Sequence, residues 1–328
     1  MNVIKFDDVV ANDMVNDDVV QPFQLESSSL RGRLVRLGPV LDDILGAHDY
    51  PLIVSKLVAE TTTLALLLSS MLKYEGVFTL QMSSDGPVTM VVADVTTQGH
   101  VRACATFSEE RLLALKKKEP SFEQLVGKGY LAFTVDQGEN TERYQGIVSL
   151  EGESLLESIE HYFAQSEQIG TGLKMAIGMP PNNKKSGWRA GAIMLQHLPE
   201  HGEHLDKADR KTIDFKEDSQ DMEEDWQRAN ILLETCTAEE FLSPSLDGNN
   251  LLMRLFHEEG VRVFTPLAIQ KKCRCSLERS ESVILALSEE ELRNAAKEDK
   301  MIHMTCEFCS QTYDFALDKI LKKKEKLS

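Results

Sequence analysis

The spacing of apolar residues changes along this chain, and each change predicts an element. After Tyr50-Pro51, Val54, Leu57, Val58, Thr61, Leu64, Ala65, Leu68, Met71 and Leu72 recur at helical intervals, with Gly76 just past the end. This run is apolar around most of its girth, which predicts a deeply buried helix. The interval then shortens to two. Phe78, Leu80 and Met82 alternate with polar residues, Ser83-Ser84-Asp85-Gly86 supplies a turn, and Val88, Met90 and Val92 alternate again. Val101, Ala103, Ala105 and Phe107 make a third set; residues 130–135 and 143–150 make two more, joined by Asp136-Gln137-Gly138-Glu139-Asn140. A helix is expected over 154–163. Strands in hairpin order with helices packed on them predict an α+β fold with a largely antiparallel sheet, not a doubly wound one.

The flanks are patterned differently. Up to Phe23 the chain is acidic (Asp7, Asp8, Asp13, Asp17, Asp18), a loose or strand-like lead-in. Near Pro199 the composition turns dense in charge and stays so to Trp226, which marks the edge of the first domain. Over 226–242 the chain is amphipathic, with Ala229, Leu232, Leu233 and Cys236 on one face. Residues 246–256 carry a second apolar set. Such short helices need a partner surface to stay folded. Further on, Ser288-Glu289-Glu290-Glu291 reads as a capping box opening a helix, 308–315 as a short strand, and 319–326 as a lysine-rich tail. The expected division is an N-terminal α+β core domain over 1–218, a helical linker over 219–268, and a small C-terminal zinc-binding module over 269–328.

Composition narrows the function. A hydrophobic fraction of 42% in 328 residues supports a real core, and a net charge of −17 opposes a nucleic-acid partner, whose phosphates need clustered Lys and Arg. The acidic N-terminus lacks the apolar stretch of a signal peptide, and the longest uncharged stretch, 61–72, is too short to cross a bilayer. The expected setting is a reducing cytoplasm, with no membrane partner. There, cysteine pairs are more often metal ligands or redox sensors than structural disulfides.

Four of the six cysteines lie in the last quarter as Cys273-x-Cys275 and Cys306-x-x-Cys309. Four thiolates at this spacing suit one tetrahedral Zn²⁺, and a small module without much core would depend on it. Each pair is also close enough in sequence to form a disulfide, and zinc-bound thiolates are the form that oxidants attack. Spacing alone therefore leaves open a structural ribbon and a redox sensor. His303 precedes Cys306 by three residues but is expected on the surface or a strand, since four sulfurs already complete a tetrahedron. His197, His201 and His204 read as solvated linker histidines, with Pro199 breaking any helix that would align them. His257-Glu258-Glu259-Gly260 lacks the second histidine of a metalloprotease motif. Cys104, in a strand, and Cys236, on a helix face, read as buried hydrophobes. There is no Gly-x-Ser-x-Gly elbow, phosphate-cradling loop or dinucleotide fingerprint, so the chain is not expected to be an enzyme.

At this point the sequence resembles the heat-shock protein 33 family, the redox-regulated holdase chaperones of bacteria. The resemblance rests on Glu142-Arg143-Tyr144-Gln145-Gly146-Ile147-Val148 with Leu150-Glu151-Gly152, on Tyr162-Phe163 with Ser166-Glu167-Gln168, and on Trp188-Arg189-Ala190-Gly191-Ala192 with Leu195-Gln196. His48-Asp49-Tyr50-Pro51, Phe256-His257-Glu258-Glu259 and the four C-terminal cysteines extend it from about Arg31 to Phe315. It implies a metastable linker and a zinc module whose four thiolates bind one Zn²⁺ in the reduced, inactive state. Oxidants would then form the disulfides Cys273–Cys275 and Cys306–Cys309, zinc would leave, and module and linker would unfold. The resemblance further implies an ATP-independent holdase for unfolding client proteins, a homodimer when oxidised. Trp226, Leu232, Leu233, Phe241 and Leu242, or the surface they cover, are the candidate client-binding residues. The acidic insertion around 201–224 and the basic tail depart from the family pattern. The competing readings are a constitutive zinc-ribbon module that recruits a partner protein, and a disulfide reductase using Cys306-x-x-Cys309, which the lack of a thioredoxin-like βαβ pattern opposes.

Overall fold

The computed structural model describes residues 17–28, 30–138, 144–164, 170–179, 187–197, 217–296 and 299–325. The lead-in becomes strand β1 (Val19–Leu25), followed by β2 (Leu30–Leu37), a short helix α1 (Pro39–Leu45) and the long helix α2 (Leu52–Ser69). The alternating segments form β3 (Val77–Ser84), β4 (Val88–Thr96) and β5 (His100–Phe107). Two short helices, α3 (Glu109–Ala114) and α4 (Phe122–Val126), precede β6 (Gly129–Asp136) and β7 (Tyr144–Ser149). After α5 (Leu155–Tyr162) come β8 (Thr171–Gly178) and β9 (Arg189–His197). The linker is α6 (Glu217–Glu234), α7 (Ala238–Leu242) and α8 (Gly248–Phe256), leading into the short strands β10 (Val261–Val263), β11 (Leu267–Ala268) and β12 (Gln270–Lys271). The C-terminal module is α9 (Leu277–Ala286), α10 (Glu289–Ala295), the hairpin β13 (Met301–Thr305) and β14 (Thr312–Ala316), and α11 (Leu317–Glu325).

The expected sheet is in fact two. One runs β10-β1-β2-β9-β8, with β11 also on β1, and the other β12-β5-β4-β3-β6-β7. Among the described residues every pairing is antiparallel except the two-residue β12–β5 pair. Helix α2 packs against both sheets, and its Leu57, Val58, Leu64, Leu66 and Leu67 join Leu80, Met82, Ala103, Val35 and Ala192 in one core. Three consecutive threonines are buried in it without penalty, because Thr61, Thr62 and Thr63 each donate to the carbonyl four residues back (Leu57, Val58 and Ala59). By length and composition α2 could cross a membrane (mean hydropathy 1.6), but 78% of it is buried inside the fold.

Strand β4 departs from the expected alternation. A register shift between Val88 and Met90 places Val91, Ala93 and Val95 in the core, whereas Met90 is only half-buried and Val92 lies outside that cluster. One irregularity in a strand reverses which residues face inward.

The first sheet is covered on both faces. Val35, Leu37, Ala190, Ala192 and Met194 face α2. Leu30, Leu34, Ile193 and Leu195, with Phe23 and Leu25, face a second core completed by Leu233, Phe241, Leu251, Leu252, Leu255 and Phe256 of the linker. Helix α6 runs from Glu217 across the position where the linker is expected to begin. Cys236 lies beyond the end of α6 rather than on a helix face, but it is buried, as is Cys104 in β5.

In the module, Ser288 opens α10 as expected: its hydroxyl accepts from the Glu291 N–H and the Glu291 carboxylate accepts from the Ser288 N–H. The strand expected at 308–315 starts later, at Thr312. Residues 306–310 form a tight turn that needs a positive φ (57°) at Ser310. The lysine-rich tail is α11, whose Leu317 and Ile320 are buried with Ile284, Leu292, Ile302 and Phe315. His197 ends strand β9, with its ring 4.8 Å from that of Trp226, rather than lying near a broken helix. His201 and His204 lie outside the described residues.

Candidate functional site

Two structural devices bring the four C-terminal cysteines together. Strand β12 adds to the edge of β5, with the Lys272 N–H donating to the Val101 carbonyl, and this delivers Cys273 and Cys275 to the second sheet. The β13–β14 turn presents the other pair: the Cys306 N–H donates to Gln311 and the Ser310 N–H to the Cys306 carbonyl. The four sulfurs lie within 4.8 Å of one another, with Cys273–Cys306 at 3.6 Å and Cys275–Cys309 at 3.5 Å. A tetrahedron with Zn–S bonds of about 2.3 Å has edges of roughly 3.8 Å, whereas a disulfide is about 2.05 Å. All six cysteines are free. The arrangement therefore fits a four-thiolate metal site.

Donors aim at the sulfurs. The Tyr313 hydroxyl lies 3.3 Å from Cys275 and an Arg102 guanidinium nitrogen 3.8 Å from Cys273. Burial opposes ionisation of Cys273, but the backbone N–H and thiol of Cys275, the Arg102 guanidinium and the Cys309 thiol together hold its thiol down to about 6. Burial pushes Cys306 up, and Cys309 up to about 12. His303 does not join the cluster. Its Nδ1 lies 2.7 Å from the Asp314 carboxylate across the hairpin, as a strand histidine would.

The module leans on the core domain through polar contacts. Phe308 sits under the Arg102 guanidinium at 3.8 Å, and its carbonyl meets His48 Nε2 at 3.3 Å. Arg274, between the first two cysteines, reaches Asp94 at 2.5 Å, and the Lys271 ammonium donates to the Asp43 carbonyl.

The candidate client-binding residues sit in the linker's seat on the first sheet. Leu233 and Phe241 are fully buried there, and Trp226 and Leu232 pack at its edge. Leu242 is half-buried, its side chain near Gly178 of β8. Gly191 makes room for Phe241, whose ring carbon lies only 2.6 Å from where a Cβ would stand.

Two buried charges clip the linker down. Arg36, 1% exposed, donates to the carbonyls of Ser243 and Glu240 at the end of α7 and pairs with Asp17. Glu259 accepts from Arg228 of α6 and from Ser27 in the β1–β2 turn, and these bonds hold its carboxyl below the usual range. Sequence reasoning missed Arg36, Arg102 and Asp94, and gave Glu259 no role of its own although it lies in a stretch that carries the resemblance. The signal of the first three was a charged residue inside an otherwise apolar strand, which reads equally well as a solvated position.

With this geometry in place, the comparisons are direct. The family model described as "Hsp33 protein" matches residues 18–316, so α11 lies beyond it. The 33 kDa chaperonin of Caulobacter vibrioides is 38% identical over 308 residues, covering 93% of this chain and 97% of that protein. The one from Photobacterium profundum is 33% identical over 302 residues (92% and 93%). A crystal structure of the 33 kDa chaperonin, a heat shock protein 33 homologue, from Thermotoga maritima superposes with a TM-score of 0.75 at 20% identity, covering 95% of this chain and all of that one. A family match over nearly the whole described length, on relatives named for chaperone activity, places this chain in the Hsp33 family.

Proposed function

We propose that this chain is a redox-regulated, ATP-independent holdase of the cytoplasm, inactive while Cys273, Cys275, Cys306 and Cys309 hold one Zn²⁺. The observation that carries the reading is the second hydrophobic core. Its floor is the outer face of the first sheet and its lid is the linker, which runs directly into the cysteine cluster through β10, β11 and β12. A bound zinc supplies folding free energy to the module, on the order of 10 kcal/mol in small zinc-dependent domains, and no catalysis.

Activation proceeds at the sulfurs. In each pair, Cys273–Cys275 and Cys306–Cys309, two thiolates give two electrons to one hypochlorous acid. With a proton this yields one disulfide, chloride and water. Bridged sulfurs no longer ligate a cation, so the module is left with its small core of Ile284, Leu292, Ile302, Phe315, Leu317 and Ile320. Loss of the module's support frees the linker, and the exposed faces of sheet and linker, including Trp226, Leu232, Leu233, Phe241 and Leu242, bind unfolding clients. The oxidised form pairs as a homodimer.

The test follows zinc release, thiol loss and suppression of client aggregation in one sample before and after hypochlorite. All three change together on this reading. Client protection by the reduced, zinc-loaded protein equal to that of the oxidised one would refute it and favour a constitutive interaction module.

A further inference from the structure

Across the face of the second sheet that points away from α2 runs a row of polar residues. Thr79 of β3, Asp94 of β4 and Arg102 of β5 are direct cross-strand neighbours. The Thr79 hydroxyl donates to one Asp94 oxygen at 2.6 Å, and two Arg102 nitrogens donate to the other at 2.8 and 2.7 Å. Asp94 is only 5% exposed. The row ends at the cysteine cluster, where Arg102 reaches Cys273 and sits over the Phe308 ring. Arg274 approaches the same Asp94 oxygen from the module side.

This is not an ordinary surface ion pair. Two guanidiniums share one buried carboxylate, so the trio carries one positive charge in excess, on Arg102 (16% exposed) and the more open Arg274 (36% exposed). An anion facing the less exposed Arg102 offsets that excess. Four thiolates around one divalent cation carry a net charge of −2 and lie against the guanidinium that has a nitrogen left to donate. Groups that hydrogen-bond to metal ligands set how tightly the metal is held, and removing one commonly weakens binding 10- to 100-fold.

We propose that Arg102 is a positioning residue of the metal centre: braced by Thr79 and Asp94, it donates to Cys273 and stacks on Phe308, so that the core domain itself sets how tightly the cluster keeps its metal. The proposal rests on the functional reading above. It gives the second sheet a role beyond scaffold. Arg102 reaches Cys273 only while the module is docked, and docking is strongest while the cluster is anionic.

The test compares the reduced, full-length protein with Arg102→Met and Arg102→Lys. Zinc affinity is read by competition with a chromogenic chelator, and the thermal midpoint of each variant is measured alongside. Methionine keeps the stem and removes the charge, and lysine keeps the charge but loses the fork that serves Asp94 and Cys273 at once. The expected order of affinity is Arg, then Lys, then Met, with Met about 10- to 100-fold weaker than the parent. A purely structural role would lower the thermal midpoint and leave the affinity unchanged. Parent-like affinity in Arg102→Met, with the parent itself zinc-loaded, overturns this proposal alone. A parent that binds no zinc overturns it together with the functional reading. If the methionine variant fails to fold, the lysine variant decides: a loss of several-fold supports the role, and parent-like affinity ends it.

Discussion

A methyl group placed on Gly191 should loosen the linker while leaving the cysteine cluster intact. Gly191 lies in β9, between Arg36 of β2 and Ala176 of β8, on the face that carries Ile193 and Leu195. A Cβ there would stand 2.6 Å from Phe241 Cδ1, 2.9 Å from its Cβ and 3.0 Å from its carbonyl oxygen. Comfortable contacts between such atoms are about 3.5–4.0 Å, so the deficit is roughly 0.5–1.4 Å. The ring could turn aside, but the carbonyl belongs to the α7 backbone and cannot. The helix must lift. Overpacking of this kind costs about 1–3 kcal/mol, which makes the lifted state about 5- to 150-fold more populated.

The sign of the effect makes the test discriminating. In the middle of a strand, Gly→Ala is ordinarily worth roughly 0.5–1 kcal/mol in the stabilising direction, so the sheet itself should not suffer. In reduced, zinc-loaded Gly191→Ala, amides of α7 and α8 should exchange faster by the stated factor, and the protein should suppress client aggregation before any oxidant is added. Zinc content should equal the parent's. If the linker amides exchange at the parent's rate, the close approach of Phe241 is not what seats the linker and the reasoning fails.

Other expectations are simpler to state. Burial raises the Glu60 carboxyl of α2 to about 7, against the N–H groups of Leu155 and Leu156 and the charge of Lys56. Its folded pKa thus exceeds the unfolded one of 4.5, so its contribution is full below about pH 4.5 and is lost as pH rises through 7. Glu60→Gln should flatten the denaturant-measured stability profile over that window, by at most about 3 kcal/mol. Burial also pushes the thiols of Cys104 and Cys236 up to about 12. Iodoacetamide at pH 8 should therefore spare these two in the reduced, zinc-loaded protein, and mass spectrometry finding them alkylated as readily as in the denatured chain would contradict their burial. Truncation after Ala316 removes buried Leu317 and Ile320 and the Lys324 ammonium that caps the carbonyls of Leu285 and Leu287. The truncated chain should release zinc at a lower oxidant dose, by the loss of about 2–5 kcal/mol per deleted large apolar side chain, and an unchanged dose would show that α11 is ornamental to the module.

Much of this was legible in the sequence because single segments met single environments. Helix α2 is buried on nearly all sides, and its pattern says so. Strands β3, β5 and β6 have one face in the core and alternate accordingly. Strands β2 and β9 were not recognised as strands for the opposite reason. They are covered on both faces, by α2 and by the linker, so the apolar residues of β9 run on without period, the three arginines of β2 fall on both its faces, and the clue to a second sheet is erased. The sulfur cluster was visible from cysteine spacing alone, because ligand geometry allows few alternatives. The row from Thr79 to Arg102 was not, since a charged residue at an alternate strand position looks the same whether it faces water or another domain.

The double coverage that hid those strands also bears on the proposed switch, in which a cluster at one end governs a surface at the other. The chain from Glu259 onward edges both sheets in turn. Ser27 bonds to Glu259, Val263 pairs with Phe23, and Leu267 pairs with Val20 on the first sheet; Lys271 then pairs with Val101 on the second, immediately before Cys273. Each of these pairings is only two or three residues long, too short to persist without an anchor. The linker supplies the anchor at one end and the docked cluster at the other. Loosening either end leaves a run of marginal pairings that can open in sequence, which would give the proposed oxidation of four sulfurs a contiguous physical route to the apolar face under Phe241.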